Sequence, residues 1–122
     1  MAIGALKENH HMAYIFLVQM DIPAEHEAEF NRIYDEEHVP LIVQVPGCTA
    51  CSRYKLEHSA QDDTAKYLAI YELETPDVPD TAAWKAASDT GLWKPMIRPH
   101  TTNRRHSVFQ RIAGTVHSPA TT

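Results

Sequence analysis

The residues best suited to chemistry lie along one apolar face of a predicted helix that contains a histidine. Residues of this face recur at three- and four-residue intervals, the spacing of one helix side: Phe30, Ile33, Tyr34, His38, Leu41, Ile42 and Val45. Pro40 has no backbone N–H and disfavours helical geometry at Val39. We therefore predict that His38 lies at or near the helix C-terminus with its imidazole facing the interior.

His38 in this position is a candidate general acid/base, and Tyr34, one turn earlier, is a candidate donor to a developing oxyanion. The helix C-terminus favours the protonated imidazole, whereas burial opposes it, so the pKa of His38 is expected near neutrality. The alternative for both residues is a packing role in the core with an ordinary hydrogen bond.

Aromatic residues elsewhere in the chain could complete a pocket. Tyr67 and Tyr71 share one face of a predicted strand, and they line the same cavity if that face meets the helices. Trp84 lies on the inward stripe of a second predicted helix and would supply a flat apolar wall. These residues are predicted to bind a substrate or, alternatively, only to pack.

Polar candidates are less well defined by their spacing. Arg53 alternates with Tyr54 on a strand, so only one of the two faces the pocket, and the sequence leaves open which. Asp35 either orients His38 or is solvated. His100 follows a proline in a loop, where it either caps the pocket or is exposed.

Cys48 and Cys51 form a Cys-X-X-Cys sequence, but it follows Pro46-Gly47 and enters a predicted strand. A redox motif of this kind needs a helix N-terminus, and residues three apart on a strand point to opposite faces. We therefore expect two ordinary buried cysteines. No His-X-His, His-X-X-X-His or His-Glu-X-X-His spacing occurs in the predicted domain, so neither a metal nor another cofactor is expected.

Composition restricts the classes of partner. The 122-residue chain has 43% hydrophobic residues and a formal net charge of −5, and it lacks a basic run, which argues against nucleic acid as a partner. No apolar segment is long enough for a membrane span or a secretion signal. We expect a cytoplasmic protein with a disordered leader over residues 1–12.

Hydrophobic periodicity predicts four strands and two helices in the order β-α-β-β-α-β. The strands are expected at residues 13–20, 48–58, 66–73 and 106–112, the last extending back to about 103, and the helices at 23–38 and 81–90, the second with Asp80 as its N-cap. This order is typical of a ferredoxin-like α+β fold, with a four-stranded antiparallel sheet and both helices on one face. We predict a single domain over residues 13–112 and a frayed tail over 113–122.

The first and third strands are apolar on both faces, although the helices cover only one. A second copy of the chain, packed sheet to sheet, is the simplest cover for the other face. The sequence therefore predicts a homodimer.

Several motifs resemble the dimeric α/β-barrel superfamily, and most of all its EthD-type members. They are Tyr-Asp-Glu-Glu-His-Val-Pro (34–40), Val-Pro-Gly (45–47), Arg53-Tyr54, a tryptophan in the second helix and Arg-Pro-His (98–100). The resemblance covers about residues 13–112. It implies a dimeric barrel and the chemistry of small cofactor-free lyases, isomerases, cyclases and decarboxylases, many of which act on aromatic compounds.

These observations predict a small cofactor-independent enzyme with His38 as general acid/base, which acts as a lyase, isomerase or cyclase on a small aromatic or unsaturated compound. A non-catalytic dimer that binds a small molecule is the main alternative, and a haem-degrading or cofactor-free monooxygenase is a minor one.

Overall fold

The computed structural model describes residues 13–119 of the chain, so the predicted leader and residues 120–122 lie outside the described part. Four strands are formed by β1 (Tyr14–Asp21), β2 (Cys48–Lys55), β3 (Tyr67–Leu73) and β4 (Thr102–Gln110). Three α-helical segments are α1 (Glu27–Ile33), α2 (Val39–Ile42) and α3 (Ala82–Ser88). Two π-helical turns occur at Tyr34–His38 and Trp93–Ile97, and short 3-10 turns at Ala24–His26, Val78–Asp80 and Arg98–His100. No helix within residues 13–119 has the length and apolar content to cross a membrane.

The four strands form one antiparallel sheet in the order β2-β3-β1-β4. The two central strands alternate between buried and half-buried residues, as expected for one covered face. The helices lie on one face of this sheet, so the predicted ferredoxin-like architecture is confirmed.

The core lies between the sheet and the helical segments. Phe30 and Ile33 of α1 and Ile42 of α2 are almost completely buried, as are Trp93 and Ile97 of the second π-helical turn. They pack against the inward residues of the two central strands, which are Phe16, Val18, Met20, Tyr67, Ala69, Tyr71 and Leu73. The apolar face of the helical segments thus packs against the apolar residues on one face of the sheet.

The helical segment does not break before Pro40, so the predicted non-helical geometry of Val39 is wrong. Val39 has φ −60° and ψ −46°, and its N–H bonds to the carbonyl of Tyr34, five residues earlier. The π-turn widens the helix next to a residue that cannot donate, and α2 then continues to Ile42. His38 therefore lies inside a helical segment, about one turn before its end.

Two smaller predictions about α3 are also wrong. Thr81, not Asp80, is the N-cap, because its Oγ1 accepts the Trp84 backbone N–H at 3.2 Å. The helix is also shorter than the predicted 81–90, because it ends at Ser88. Trp84 packs against the core as predicted, together with Ala87, whereas Ala83 is exposed.

Gly47 joins the α2 region to β2 with φ +92°, and a Cβ placed there would lie 2.6 Å from Val78 Cγ2. We expect Gly47→Ala to lower the free energy of unfolding by about 2–4 kcal/mol, through left-handed strain and overpacking. Urea unfolding measures this loss. Gly114→Ala is the matched control, because no atom lies within 4 Å of its added Cβ; equal stability of the two variants would contradict the prediction.

Candidate functional site

A cavity of about 160 Å³ opens between the helical layer and the sheet, on the β1–β4 side. Strand residues Phe16, Val18 and Met20 form its floor. The remaining lining comes from the helical segments, β3 and β4: Tyr34, His38, Tyr71, Trp84, Ser88, Trp93, Arg104 and His106. Four of the residues predicted for the site therefore meet in one place, namely His38, Tyr34, Tyr71 and Trp84.

His38 is the one buried polar or charged side chain in the core of the described residues, with 6% of its surface exposed. Its ring stacks on the indole of Trp93, with centroids 4.4 Å apart and planes 21° from parallel. The edge of the Tyr34 ring meets it at 5.2 Å. Nδ1 of His38 is buried and has no hydrogen-bond partner within residues 13–119. A buried nitrogen without a hydrogen bond lowers the free energy of unfolding by about 1–3 kcal/mol.

The pKa of His38 is lowered from 6.5 to about 4, chiefly by burial and further by the positive charges of Arg98 and Arg53. This value is well below the near-neutral one expected from the sequence, because the aromatic surroundings outweigh the effect of the helix terminus. His38 is therefore uncharged at neutral pH. One of its ring nitrogens is then an acceptor, so the residue is suited to taking a proton.

Tyr34 and Tyr71 provide hydroxyl groups in the wall of the same cavity. Burial raises the pKa of Tyr34 to about 12, an effect partly offset by its side-chain hydrogen bond with Tyr71. Burial also raises the pKa of Tyr71 well above 10, and Tyr71 in turn is hydrogen-bonded to the Cys51 thiol. Both phenols keep their protons at neutral pH, so either can donate a hydrogen bond to a ligand.

Trp84 forms the predicted flat wall. Its ring meets Phe16 edge-on at 5.5 Å and Tyr71 edge-on at 5.1 Å. Because Trp84 is only half-buried, part of the indole faces the cavity. Aromatic edges and faces therefore surround the space on several sides, an arrangement that favours a planar ligand.

Arg53 and Tyr67 do not line this cavity. They lie in a larger, open groove of about 410 Å³ beside the edge strand β2, together with Asn31, Asp35, Tyr54 and Lys55. Arg53 donates to Asp35 Oδ1 at 2.6 Å and to Asn31 Oδ1 at 2.8 Å. The residues predicted for one pocket are therefore divided between a cavity and a groove. The His38 cavity is the candidate site, because the charges of Arg53 and Asp35 in the groove already pair with each other.

The structure shows which of Arg53 and Tyr54 faces the helices, a question that the sequence left open. Arg53 is on the helix side of the sheet with its guanidinium carbon 4.2 Å from the Tyr34 ring centroid, and Tyr54 faces the other way. Tyr34 therefore separates Arg53 from the His38 cavity. Asp35, for which the sequence left open either orientation of His38 or solvation, pairs with Arg53 and is exposed.

Tyr67 and His100 have other partners. The Tyr67 hydroxyl donates to Glu27 and accepts from Asn31. His100 is exposed and stacks on His26, with ring centroids 3.8 Å apart. Neither residue lies in the wall of the His38 cavity, so the cap predicted for His100 is not formed in this structure.

The two cysteines lie on the same side of β2, contrary to the predicted divergence. Cys48 is opposite Leu73 and Cys51 is opposite Tyr71, because a β-bulge at Thr49 adds one residue between them. Both thiols are free, and burial raises the pKa of each to about 11. They are protonated at neutral pH, which suits packing better than redox chemistry.

Sequence reasoning did not name the other residues of the cavity lining, among them Trp93, Arg104 and His106. Trp93 and Ile97 are four residues apart in a stretch to which no predicted helix or strand was assigned, and that spacing is the signal for a shared inward face. Arg104 and His106 alternate on β4, but their spacing alone does not tell which face is covered. No group of three or more potential metal ligands occurs within residues 13–119.

Comparison with known proteins gives a family but no activity. The sequence profile of a family described as domain of unknown function DUF4286 matches residues 13–84, more than half of the chain. No curated protein matches the sequence.

Several solved structures have the same fold. An EthD-family protein from Bacillus halodurans is 13% identical over 81% of this chain and 99% of its own, with a TM-score of 0.58. The haem degrader MhuD from Mycobacterium tuberculosis, with two haems in its active site, is 14% identical over 84% and 99% of the two chains, with a TM-score of 0.56. SnoaB, a cofactor-independent oxygenase from Streptomyces nogalater, is 15% identical over 84% and 96%, also with a TM-score of 0.56.

At these identities the similarity shows the fold alone. The ferredoxin-like fold that the resemblance to EthD-type proteins implies is therefore confirmed.

The low pKa of His38 makes folding stability depend on pH. Between pH 6.5 and about 4 the unfolded chain binds a proton at His38 that the folded chain does not, so the free energy of unfolding falls as pH falls. We expect wild type to lose roughly 2–3 kcal/mol more than His38→Gln between pH 7 and pH 4.5. Urea titrations at both pH values measure the difference.

His58→Gln is the matched control, because His58 is exposed in the loop after β2. It should keep the pH dependence of wild type. Equal pH dependence in wild type and His38→Gln would show that the His38 imidazole is not buried uncharged.

Proposed function

We propose a function for this chain, which belongs to the DUF4286 family of domains of unknown function, from the chemistry of its His38 cavity. The chain is a small cofactor-independent enzyme in which uncharged His38 takes a proton from a single-ring aromatic or unsaturated compound. The observation that carries this proposal is His38, which lines a cavity rich in aromatic residues and has a buried Nδ1 without a partner within the described residues. Buried polar groups nearly always have a hydrogen-bond partner, so this one requires an explanation.

The size of the cavity limits the substrate. Its volume is about 160 Å³, and an apolar cavity of roughly 150 Å³ holds benzene. The aromatic edges of Trp84 and Tyr71 are placed to pack against such a ring. A porphyrin is several times larger, so the cavity favours a single-ring compound over the haem that MhuD binds.

The proposed reaction begins with the removal of a proton from a carbon next to a carbonyl group. The C–H bond breaks, the proton moves to the acceptor nitrogen of His38, and the electron pair is delocalised onto the carbonyl oxygen as an enolate. Tyr34, whose phenol keeps its proton, donates a hydrogen bond to that oxygen. Return of the proton to a different atom completes an isomerisation, whereas loss of a leaving group gives a lyase reaction.

His38 is a weak base in the free protein, and the reaction itself compensates for this. The developing enolate is negative and forms within the same cavity, where it raises the pKa of the imidazole that has just accepted the proton. This attraction acts over a short distance, because His38 and Tyr34, which holds the enolate oxygen, line the same cavity. Chemistry of this kind needs no cofactor, and SnoaB shows that a protein with the same fold can be a cofactor-independent oxygenase.

A second candidate function is ligand binding without turnover. The low pKa of His38 favours it, because an imidazole with a pKa of about 4 is poorly basic unless the bound ligand raises that pKa. In this case the unpaired nitrogen would accept a hydrogen bond from the ligand and the cavity would act as a recognition site.

Hydrogen exchange in D₂O separates these functions even when the product is not identified. We expect wild type to catalyse deuterium incorporation into some members of a panel of single-ring ketones and unsaturated acids, followed by proton NMR. His38→Gln should lower that rate by about 100-fold or more, the usual contribution of a positioned acid or base. Ligand affinity should stay within about tenfold of wild type, since one hydrogen bond is lost.

His100→Gln is the control, because His100 is exposed and lies outside the cavity wall. Undiminished exchange in His38→Gln would refute the assignment of the base. Binding of panel members by wild type without any exchange would support the second function.

The proposal includes a cytoplasmic homodimer that buries the outer face of the sheet. Register places four half-buried aliphatic residues on that face, Ile15 and Leu17 of β1 and Leu68 and Ile70 of β3. Tyr54 and Phe109 flank them and are 53% and 52% exposed. A continuous apolar surface of this kind is typical of an interface between copies of a chain.

A charge in the middle of this face tests the dimer. We expect the wild type to have the mass of a dimer by light scattering at micromolar concentration and Leu17→Lys to have the mass of a monomer, because a buried lysine without a partner disfavours association. Glu25→Lys, on the exposed turn before α1, should leave the mass unchanged. A monomeric wild type would overturn the dimer.

A further inference from the structure

Arg104 differs from the other charged residues near the cavity because its guanidinium has no partner within residues 13–119. Four other arginines form salt bridges with carboxylates, namely Arg32, Arg53, Arg98 and Arg105. Arg104 has neither a salt bridge nor a hydrogen bond to the described part of the chain, and its guanidinium supplies a permanent positive charge to the cavity wall. A cation held without a counter-charge at a pocket wall is an available site for an anion.

A bulge in β4 sets the position of Arg104. Gln19 pairs with Arg105 but Asp21 pairs with Thr102, so Asn103 and Arg104 together face one residue of β1. Asn103 has φ +52°, and its side-chain amide donates to Asp21 Oδ2 at 3.2 Å and to the Asp63 carbonyl at 3.0 Å. Bulges often redirect side chains beside binding sites, and left-handed geometry at a residue other than glycine is held only by surrounding contacts.

Positive charge also acts on the titratable groups of the cavity. The charge of Arg104 lowers the pKa of the Tyr34 hydroxyl against the larger effect of burial, and Arg98 and Arg53 lower the pKa of His38 further. Arg98 and Arg53 are already paired with Asp89 and Asp35. Within the described residues, the cation at the cavity wall that remains for a ligand is therefore Arg104.

We infer that the compound bound in the His38 cavity is a single-ring organic carboxylate, with Arg104 as the counter-charge of its carboxylate group. This inference rests on the proposed function, and it narrows the substrate to acids that also carry a ketone carbonyl. The carboxylate pairs with Arg104, and the separate carbonyl oxygen accepts the electron pair of the broken C–H bond. The ring lies against Trp84 and Phe16, and the carboxylate lies at the mouth beside Arg104. The bound anion also raises the basicity of His38, so recognition and proton transfer support each other.

Intrinsic fluorescence is a direct measure of binding, because both tryptophans of the sequence line the cavity. The probes are two matched pairs of similar shape and different charge: benzoate with benzamide, and cinnamate with cinnamamide. For wild type we expect the acids to bind at least about tenfold more tightly than the amides, since a charge-assisted contact is stronger than a neutral one. Higher salt concentration should weaken the acids alone.

Arg104→Gln tests the assignment of the counter-charge. We expect this variant to bind benzoate and cinnamate at least about tenfold more weakly and the amides with unchanged affinity. Arg104→Lys should retain part of the preference for acids. Arg105→Gln is the matched control, because Arg105 is the next residue, faces the opposite side of the sheet and pairs with Asp63; it should bind the acids as wild type does.

Two outcomes would overturn the inference. Equal affinity for acids and amides, unchanged in Arg104→Gln, would exclude the anion but leave the proposed proton transfer intact, because hydrogen exchange into neutral ketones does not depend on Arg104. Failure of all four compounds to bind would exclude the single-ring carboxylate. Binding of acids through Arg104 without any hydrogen exchange would support the anion site and refute only the enzymatic function.

Discussion

Pro40 imposes the constraint on which the site depends. A proline inside a helical segment cannot donate to the carbonyl four residues earlier, and here the chain responds with a π-turn at Tyr34–His38 instead of a break. Pro95 lies inside the second π-turn, Trp93–Ile97. Each π-turn presents one aromatic ring of the His38–Trp93 stack. π-Turns are rare in proteins. Two of them meet at the His38–Trp93 ring contact, which indicates that the surrounding core holds both in place.

The aromatic stack in turn decides the charge state of His38. Burial among Trp93 and Tyr34 removes the solvation that a protonated imidazole needs, and the nearby guanidinium groups of Arg98 and Arg53 act in the same direction. A positively charged ring is thus disfavoured, and burial likewise raises the pKa of Tyr34 and Tyr71, so an ion in this cavity needs a counter-charge. The same arrangement that weakens His38 as a base in the free protein gives it most to gain from an anionic ligand or intermediate.

Periodicity predicted the order of the elements, the buried faces and the meeting of His38, Tyr34, Tyr71 and Trp84, because these follow from repeats of two and 3.6 residues. Periodicity did not predict the structure at places where one extra residue interrupts a regular helix or strand. The π-turn changed the geometry expected at Val39, and a bulge at Thr49 turned Cys48 and Cys51 to the same side. The position of Arg53 in a separate groove could not be predicted for another reason: a strand pattern gives the face of a residue, but not its lateral distance from a cavity across the sheet.

Successive residues of a strand lie on opposite faces of the sheet, and in β4 this places two neighbouring arginines in different environments. Arg104 faces the cavity, while Arg105, its neighbour, faces the outer side and pairs with Asp63. A slip of one residue in the pairing with β1 would exchange them, placing Arg105 at the cavity and moving Arg104 to the apolar outer face. The bulge anchored by Asn103 on Asp21 and the Asp63 carbonyl opposes that slip. A strained asparagine remote from His38 therefore fixes which arginine reaches the site.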